Sequence, residues 1–426
     1  MITVREFAKR REKLYAQLDD NSITILFSGI AKKSSADADY PFVVNKNFYY
    51  LTNIKQEDSA LLITKNGGLV KEYLFISEYD EVKEKRTGKR LTPAEARAYS
   101  GINNVLFINN IDAHLSMLFE GKGDFENYTK VYMDLEAENK IRPQTSTIDF
   151  KNSLSLNYDY LEFEDIYEKI IRMRMVKSAD EIEEFKEAIS KTNIGLQNIM
   201  RHIKPDLYEY QLSSLFFYTI QDYDYSDLSF PTICASGVNA TCLHYPTPVS
   251  KIQKNDLVLF DLGCQNNMYC ADITRTYPAS GKFSALQKTI YNIVLKANKL
   301  VIDSIKPGIT IAELNEITIN CLAEGCLKAK LIKNPSEISK YYFHNISHHI
   351  GLDTHDPSLR HLPLEAGNII SDEPGLYFKE LGIGVRIEDD ILVTEDGSYN
   401  LSNQILKEPD DIEAAIAFSR SQKHEI

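Results

Sequence analysis

Two aspartates flanking an Asn-Asn pair constrain what this chain can fold into more than any other feature. Val258, Leu259 and Phe260 form an apolar run into Asp261, and Asp272 opens a second strand-forming run through Ile273, Thr274, Thr276 and Tyr277. Asn266 and Asn267 lie midway between them, and asparagine tolerates the positive φ that a two-residue hairpin turn demands. A turn centred on that pair sets Asp261 directly opposite Asp272, with Cβ atoms about 5 Å apart. Like charges so placed destabilise a strand pair, and a divalent cation between them is the economical remedy. A solvated loop with two unrelated acids is the competing reading, and the hairpin alone does not decide.

Composition narrows the setting. A chain of 426 residues, 43% hydrophobic and 26% charged, is expected to form two or three soluble domains with sizeable cores. Its net charge of -13 argues against general nucleic-acid binding, which wants a basic face. No run of 18 apolar residues exists, so no membrane span is expected. The first residues lack the basic-then-apolar order of a secretory signal. Cys234, Cys242, Cys264, Cys270, Cys321 and Cys326 show no CxxC pair. Reduced thiols in a cytoplasmic protein are the simplest expectation.

Residues 4 to 18 read as an amphipathic helix, with strand candidates at Ile23 to Phe27, Phe48 to Thr52, Ala60 to Thr64 and Tyr73 to Ile76. A helix opens at Thr92 and Pro93. This alternation predicts an α/β domain over 1–172 without a catalytic cluster, suited to structure or oligomerisation. Ser178 and Glu181 form a capping box that starts a long helix through Ile199, and helices follow at 209–223, 284–305 and 311–329. The second domain is expected over 173–426, ending in an acidic helical tail. Ser280 to Ser284 falls short of a phosphate loop, because Phe283 stands where Ser or Thr must follow the lysine.

Polar residues crowd the second domain. His344, His348, His349, His355 and His361 fall within 18 positions, and a histidine cluster beside a carboxylate hairpin points to a site. His349 and His361 read equally well as surface residues. Two further apolar runs each hold one inward acid, Glu373 and Glu388, which lie opposite each other about a turn at residues 380 and 381. Asp372 then points to the other strand face, and Asp389 and Asp390 read as a solvated edge or local caps. Four carboxylates and an imidazole can hold two divalent ions with bridging carboxylates. Oxygen-rich coordination leans to Mn²⁺, with Co²⁺, Fe²⁺ or Zn²⁺ also compatible.

With Asp261, Asp272, His348, Glu373 and Glu388 in that order, the chain resembles the aminopeptidase P and prolidase family of metallopeptidases. The resemblance rests on the segments DLG…ADITRTY, SHHIGLDTHD, EPGLY and GIGVRIEDD, and on Tyr40-Pro-Phe with Asn47 to Thr52 in the first domain. It implies an N-terminal α/β, creatinase-like domain followed by a pita-bread catalytic domain, an α/β (α+β) protein overall. It implies that Asp261 binds one metal, that Asp272 and Glu388 bridge both, and that His348 and Glu373 complete the coordination of the second metal. Glu373 would also shuttle protons, with His244 and His355 at the scissile carbonyl and His344 and Arg386 lining or supporting the substrate pocket. Asn345 stands where the family usually has Gly after the residue matching His344. The implied activity is that of a metal-dependent Xaa-Pro aminopeptidase acting on peptides with proline second. An Xaa-Pro dipeptidase is the nearest alternative, followed by a non-catalytic peptide-binding relative and, less closely, a methionine aminopeptidase. Family members are often dimers or tetramers, so a homo-oligomer is expected.

Overall fold

The computed structural model describes residues 2–122, 128–135 and 146–422. Contacts divide the chain into two units, with the change between Arg174 and Met175. In the first unit, α1 (Val4–Tyr15) leads into β1 (Ser22–Phe27), α2 (Lys46–Thr52), β2 (Ala60–Asn66) and β3 (Leu69–Ile76). Helices α3 (Glu81–Thr87) and α4 (Pro93–Ser100) precede β4 (Asn104–Phe107), α5 (Ile111–Glu120) and β5 (Lys130–Met133). The unit closes with α6 (Ser146–Asn157), β6 (Glu162–Asp165) and α7 (Tyr167–Met175). Its six strands form one mixed sheet in the order β4-β3-β2-β1-β5-β6. Ile23, Ile25, Leu62 and Phe75 from the sheet pack with Leu115, Leu118 and Phe119 from α5.

One expected strand is a helix. Phe48 to Thr52 belong to α2, and all five side chains are buried. Asn45 caps the helix start by accepting from the Phe48 N–H at 2.9 Å, and Asn53 ends it at φ 60°. A short apolar run carries no periodicity that separates buried strand from buried helix, so the caps decide.

The second unit opens with α8 (Ala179–His202), whose Ser178 and Glu181 form the expected capping box, then α9 (Glu209–Tyr223) and β7 (Ile233–Ser236). Strands β8 (Leu257–Leu262), β9 (Gln265–Asn266), β10 (Tyr269–Cys270) and β11 (Ile273–Pro278) make the first hairpin. Helices α10 (Ala285–Ser304) and α11 (Ile311–Lys328) follow, the latter opened by the Thr310–Glu313 box. Strands β12 (Ile369–Asp372), β13 (Gly375–Phe378), β14 (Ile383–Arg386), β15 (Asp389–Val393) and β16 (Ser398–Asn400) make the second hairpin and its edge, before α12 (Pro409–Gln422). Val301 of α10 and Ile305 just beyond it pack on Ile370, Ile391 and Val393 of the second hairpin. No helix among the described residues is long and apolar enough to cross a membrane. All six cysteines are free.

Candidate metal centre

The first hairpin forms, but its turn lies one residue later than the sequence suggested. Asn266 pairs with Tyr269, so Asn267 and Met268, at φ 45° and 73°, make the turn. Asp261 therefore faces Thr274 rather than Asp272. The cause is tertiary: Lys191 donates to Asn266 Oδ1 at 2.9 Å, and Glu184 accepts from both Asn266 and Asn267. These contacts from α8 hold Asn266 in the strand. A register change of two keeps every side chain on its face, because strand side chains alternate with period two. Asp261 and Asp272 thus remain diagonal neighbours. Gly263 lies beside Asp272 where the ladder opens, and a Cβ there would sit 1.8 Å from the Ala271 carbonyl oxygen, a contact only glycine escapes.

The second hairpin keeps its expected register. Gly375 pairs with Arg386 on one side of the acids, and Asp372 pairs with Asp389 on the other. Glu373 and Glu388 stand opposite in the gap between these ladders. Alternation then separates two groups of acids. Glu373 and Glu388 join Asp261 and Asp272 on the front, and Asp372 and Asp389 point behind. Burial overturns the reading of Asp389 and Asp390 as a solvated edge, and Asp390 is no local cap, since it accepts from the distant Asp272 N–H at 3.2 Å. Asp389 binds Arg275 at 2.7 Å and Lys407 at 2.6 Å, while Asp372 accepts from Asn298 at 2.8 Å.

His348 reaches the front group from the preceding loop. Its Nε2 lies 3.4 Å from Asp272 and 3.7 Å from Glu373, while Nδ1 meets the His349 carbonyl at 3.0 Å. That carbonyl accepts the Nδ1 proton and leaves the Nε2 lone pair facing the acids, the orientation a metal-ligating histidine takes. Ligand atoms of Asp261, Asp272 and Glu388 all lie within 4.8 Å of one another, and so do those of His348, Glu373 and Glu388. Asp272, His348 and His355 form a third such set. Buried Asp261 Oδ1 has no hydrogen-bond partner. Converging oxygens, one unsatisfied, with a nitrogen beside them fit divalent metal.

The other expected site residues surround this group. His355 stacks on His348, ring centroids 3.8 Å apart and planes 9° from parallel. His244 is exposed, close enough that its charge would lower the pKa of both His344 and His355. Arg386 donates to Asp261 at 2.6 Å, to Thr274 at 3.1 Å and to the Tyr377 hydroxyl at 2.9 Å. That hydroxyl lies 2.9 Å from His344 Nε2, and His344 Nδ1 lies 2.8 Å from the Asn345 carbonyl. With Arg386 donating to its oxygen, Tyr377 gives its proton to His344 Nε2, which fixes the imidazole with Nδ1 protonated. Sequence reasoning passed over Tyr377 and also Thr274, which donates to Glu388 at 2.7 Å. Period-two spacing from Glu373 and Asp272 could have found both. His349, taken as a possible surface residue, is buried at the base of the His348 loop.

The charge balance is uneven. Burial first, then Asp261, Asp390 and Glu373, pushes the Asp272 carboxyl well above the usual range. Burial followed by Asp272 and Glu373 does the same to Glu388. Glu373 is pushed up to about 7, chiefly by burial. Such values mark negative charge in want of a cation. His344 and His355 are both lowered to about 4, burial being the leading cause, so both rings are neutral at pH 7.

Comparison with known proteins gives a consistent picture. Residues 183–395 match the model of Metallopeptidase family M24, and residues 7–126 match that of the Aminopeptidase P, N-terminal domain. The chain is 32% identical to an Xaa-Pro aminopeptidase of Haemophilus influenzae, with 97% of each protein covered. It superposes on a provisionally assigned aminopeptidase P from Bacillus anthracis with TM-score 0.95 at 43% identity, covering 98% of this chain and 99% of that one. A zinc-substituted Escherichia coli aminopeptidase P in complex with product gives TM-score 0.90 at 29% identity, with 98% and 99% covered.

Proposed function

The chain belongs to metallopeptidase family M24, and on that premise we propose which of its groups hold the metal and which handle the peptide. It is a metal-dependent Xaa-Pro aminopeptidase, removing the first residue of peptides whose second residue is proline. The observation that carries the assignment of roles is the pair of overlapping ligand sets that share Glu388. In this reading Asp261, Asp272 and Glu388 would hold one divalent ion and His348, Glu373 and Glu388 a second, with Asp272 also within reach of His348. The oxygen-rich donor set favours Mn²⁺, with Co²⁺, Fe²⁺ or Zn²⁺ able to substitute.

Bound divalent ions supply Lewis acidity that brings the pKa of water at the site toward neutrality. The chain's own groups do the rest. Glu373, placed beside His348 at the edge of the ligand set, would take the proton of the attacking water and return it to the proline nitrogen as the bond breaks. His355 and His244 would donate N–H groups to the developing oxyanion. A neutral His355 at pH 7 suits that task, since it donates without adding a fixed charge beside the cations. Arg386 holds Asp261 by a short charged hydrogen bond, and through Tyr377 it fixes the tautomer of His344 at the pocket wall. Loss of both metal binding and turnover in chelator-treated Asp261→Ala and Glu388→Ala is the expected result. Retained turnover in either variant would overturn the assignment.

A further inference from the structure

The segment from Ser236 to Ser250 leaves the β7 edge, carries His244 near its tip and returns toward β8. Such an excursion needs something at its base if a side chain at its tip is to hold one position. That something is the carboxylate of Glu209, the first residue of α9, which is fully buried. Its Oε1 accepts from the Ser236 N–H at 2.7 Å, the Ser236 hydroxyl at 2.8 Å and the Asn239 amide at 2.9 Å. Its Oε2 accepts from the Ser250 N–H at 3.0 Å, and the Glu209 N–H donates back to the Ser250 carbonyl at 3.1 Å. One carboxylate thus joins the two ends of the loop.

The grip extends inward. The Asn239 amide also lies 2.9 Å from the Ser250 hydroxyl and 3.1 Å from the hydroxyl of Tyr245, the residue next to His244. Leu243 and Tyr245, on either side of His244, pack against Ala235, Ala240, Leu259 and Tyr377. The loop base presses on β14, where a Cβ at Gly384 would sit 2.0 Å from the Ala240 carbonyl oxygen. A buried carboxylate is costly to desolvate unless donors surround it, and here four do. Removing one acceptor leaves several buried donors unsatisfied at once, all within the His244 loop.

We propose that Glu209 is a positioning residue for peptide cleavage, acting by clamping the 236–250 loop so that His244 is presented to the substrate carbonyl. This rests on the reading of His244 as a substrate-facing group. Glu209 touches none of the metal ligands, so its effect is separable from theirs. Misplacement of a catalytic group by ~1 Å costs on the order of 100-fold in rate, and Glu209→Gln, which turns an acceptor into a donor among donors, is expected to lower kcat/KM by about 10- to 100-fold. Mn²⁺ uptake, read by calorimetry, should stay at its original stoichiometry and affinity.

Two measurements test this. Hydrogen exchange on the full chain should show faster exchange at the amides of 237–250 in Glu209→Gln and in the shorter Glu209→Asp, with α10 and the two hairpins unchanged. Unchanged exchange in the loop overturns the clamp. A double-mutant cycle with His244→Ala reads the route. The expected result is that Glu209→Gln costs less than threefold once His244 is gone. A full 10- to 100-fold loss in that background overturns action through His244. His244→Ala with undiminished kcat/KM would instead overturn the reading of His244 while the exchange experiment still decides the clamp. Should Glu209→Gln fail to fold, Glu209→Asp serves in both measurements.

Discussion

Two groups of acids lie in front of and behind the second hairpin, and they solve the problem of buried negative charge differently. Behind the second hairpin, Asp389 receives Arg275, Lys407 and the Ser402 hydroxyl, and against the upward push of burial these cations hold its carboxyl below the usual range. Asp372 shares Asn298 with it, and burial followed by the Asp389 charge keeps the Asp372 carboxyl high. In front, Asp261, Asp272, Glu373 and Glu388 converge with Arg386 bonded to Asp261 alone. Burial raises Asp272, Glu373 and Glu388. The rear group carries its own cations and is structural. The front group has one guanidinium for four acids, and its unmet charge is the feature a divalent metal answers.

The largest expected contrast comes from removing one charged group on each face, an acid at the front and a cation at the rear. Asp272→Ala should abolish metal uptake and peptide turnover while leaving the metal-free protein folded, since it removes a raised carboxyl from a crowded set. Arg275→Met at the rear should instead lower the free energy of unfolding by about 3–5 kcal/mol, because it leaves Asp389 buried without its main partner. Urea denaturation reads that loss. If Arg275→Met were as stable as the parent, the division into structural and functional acids would fail.

Next in size is Arg386→Lys, which keeps the charge but loses the fork that joins Asp261, Thr274 and Tyr377. Partners that orient metal ligands are worth about 10- to 100-fold in affinity, and a drop of that order in metal affinity is expected by calorimetry. The acid response differs between faces as well. Glu373 titrates at about 7 in the folded metal-free protein, against about 4.3 when unfolded. The folded state therefore binds more protons between those values, and stability of the metal-free protein falls as pH rises from about 4 to 7. Asp389 has the opposite sign: its contribution is present above about pH 4 and is lost below. Melting temperatures from pH 4 to 8 should fall in the metal-free protein and flatten when Mn²⁺ is added. The smallest effect is expected for Asp372→Asn, under about 1 kcal/mol, since it replaces a carboxyl whose charge is already disfavoured by a neutral group of the same shape.

How much of this the sequence discloses depends on where the deciding contact lies. The second hairpin is legible because its turn is local: Gly382, at φ 61°, ends a short helical turn midway between symmetric apolar runs. The first hairpin is legible to within a one-residue shift of its turn, and that shift is set by Lys191 and Glu184, far away on α8. The front acids survive that error because alternation preserves the face. At the rear, the face of Asp372 is legible from alternation, but the burial of Asp389 is not, because its partners are not its neighbours in sequence: Arg275 is 114 residues away. Capping boxes at Ser178 and Thr310 are local hydrogen-bond patterns and are readable in one dimension. The Phe48 to Thr52 helix is not, since its identity rests on two asparagine caps, Asn45 and Asn53.

Calorimetric titration of the chelator-treated protein with Mn²⁺ tests the difference between the two faces most directly. Two equivalents are expected for the parent and for Asp372→Asn, and none for Glu388→Ala, which removes the residue common to both ligand sets. Undiminished uptake by Glu388→Ala, or loss of uptake in Asp372→Asn with the front acids intact, would contradict the account.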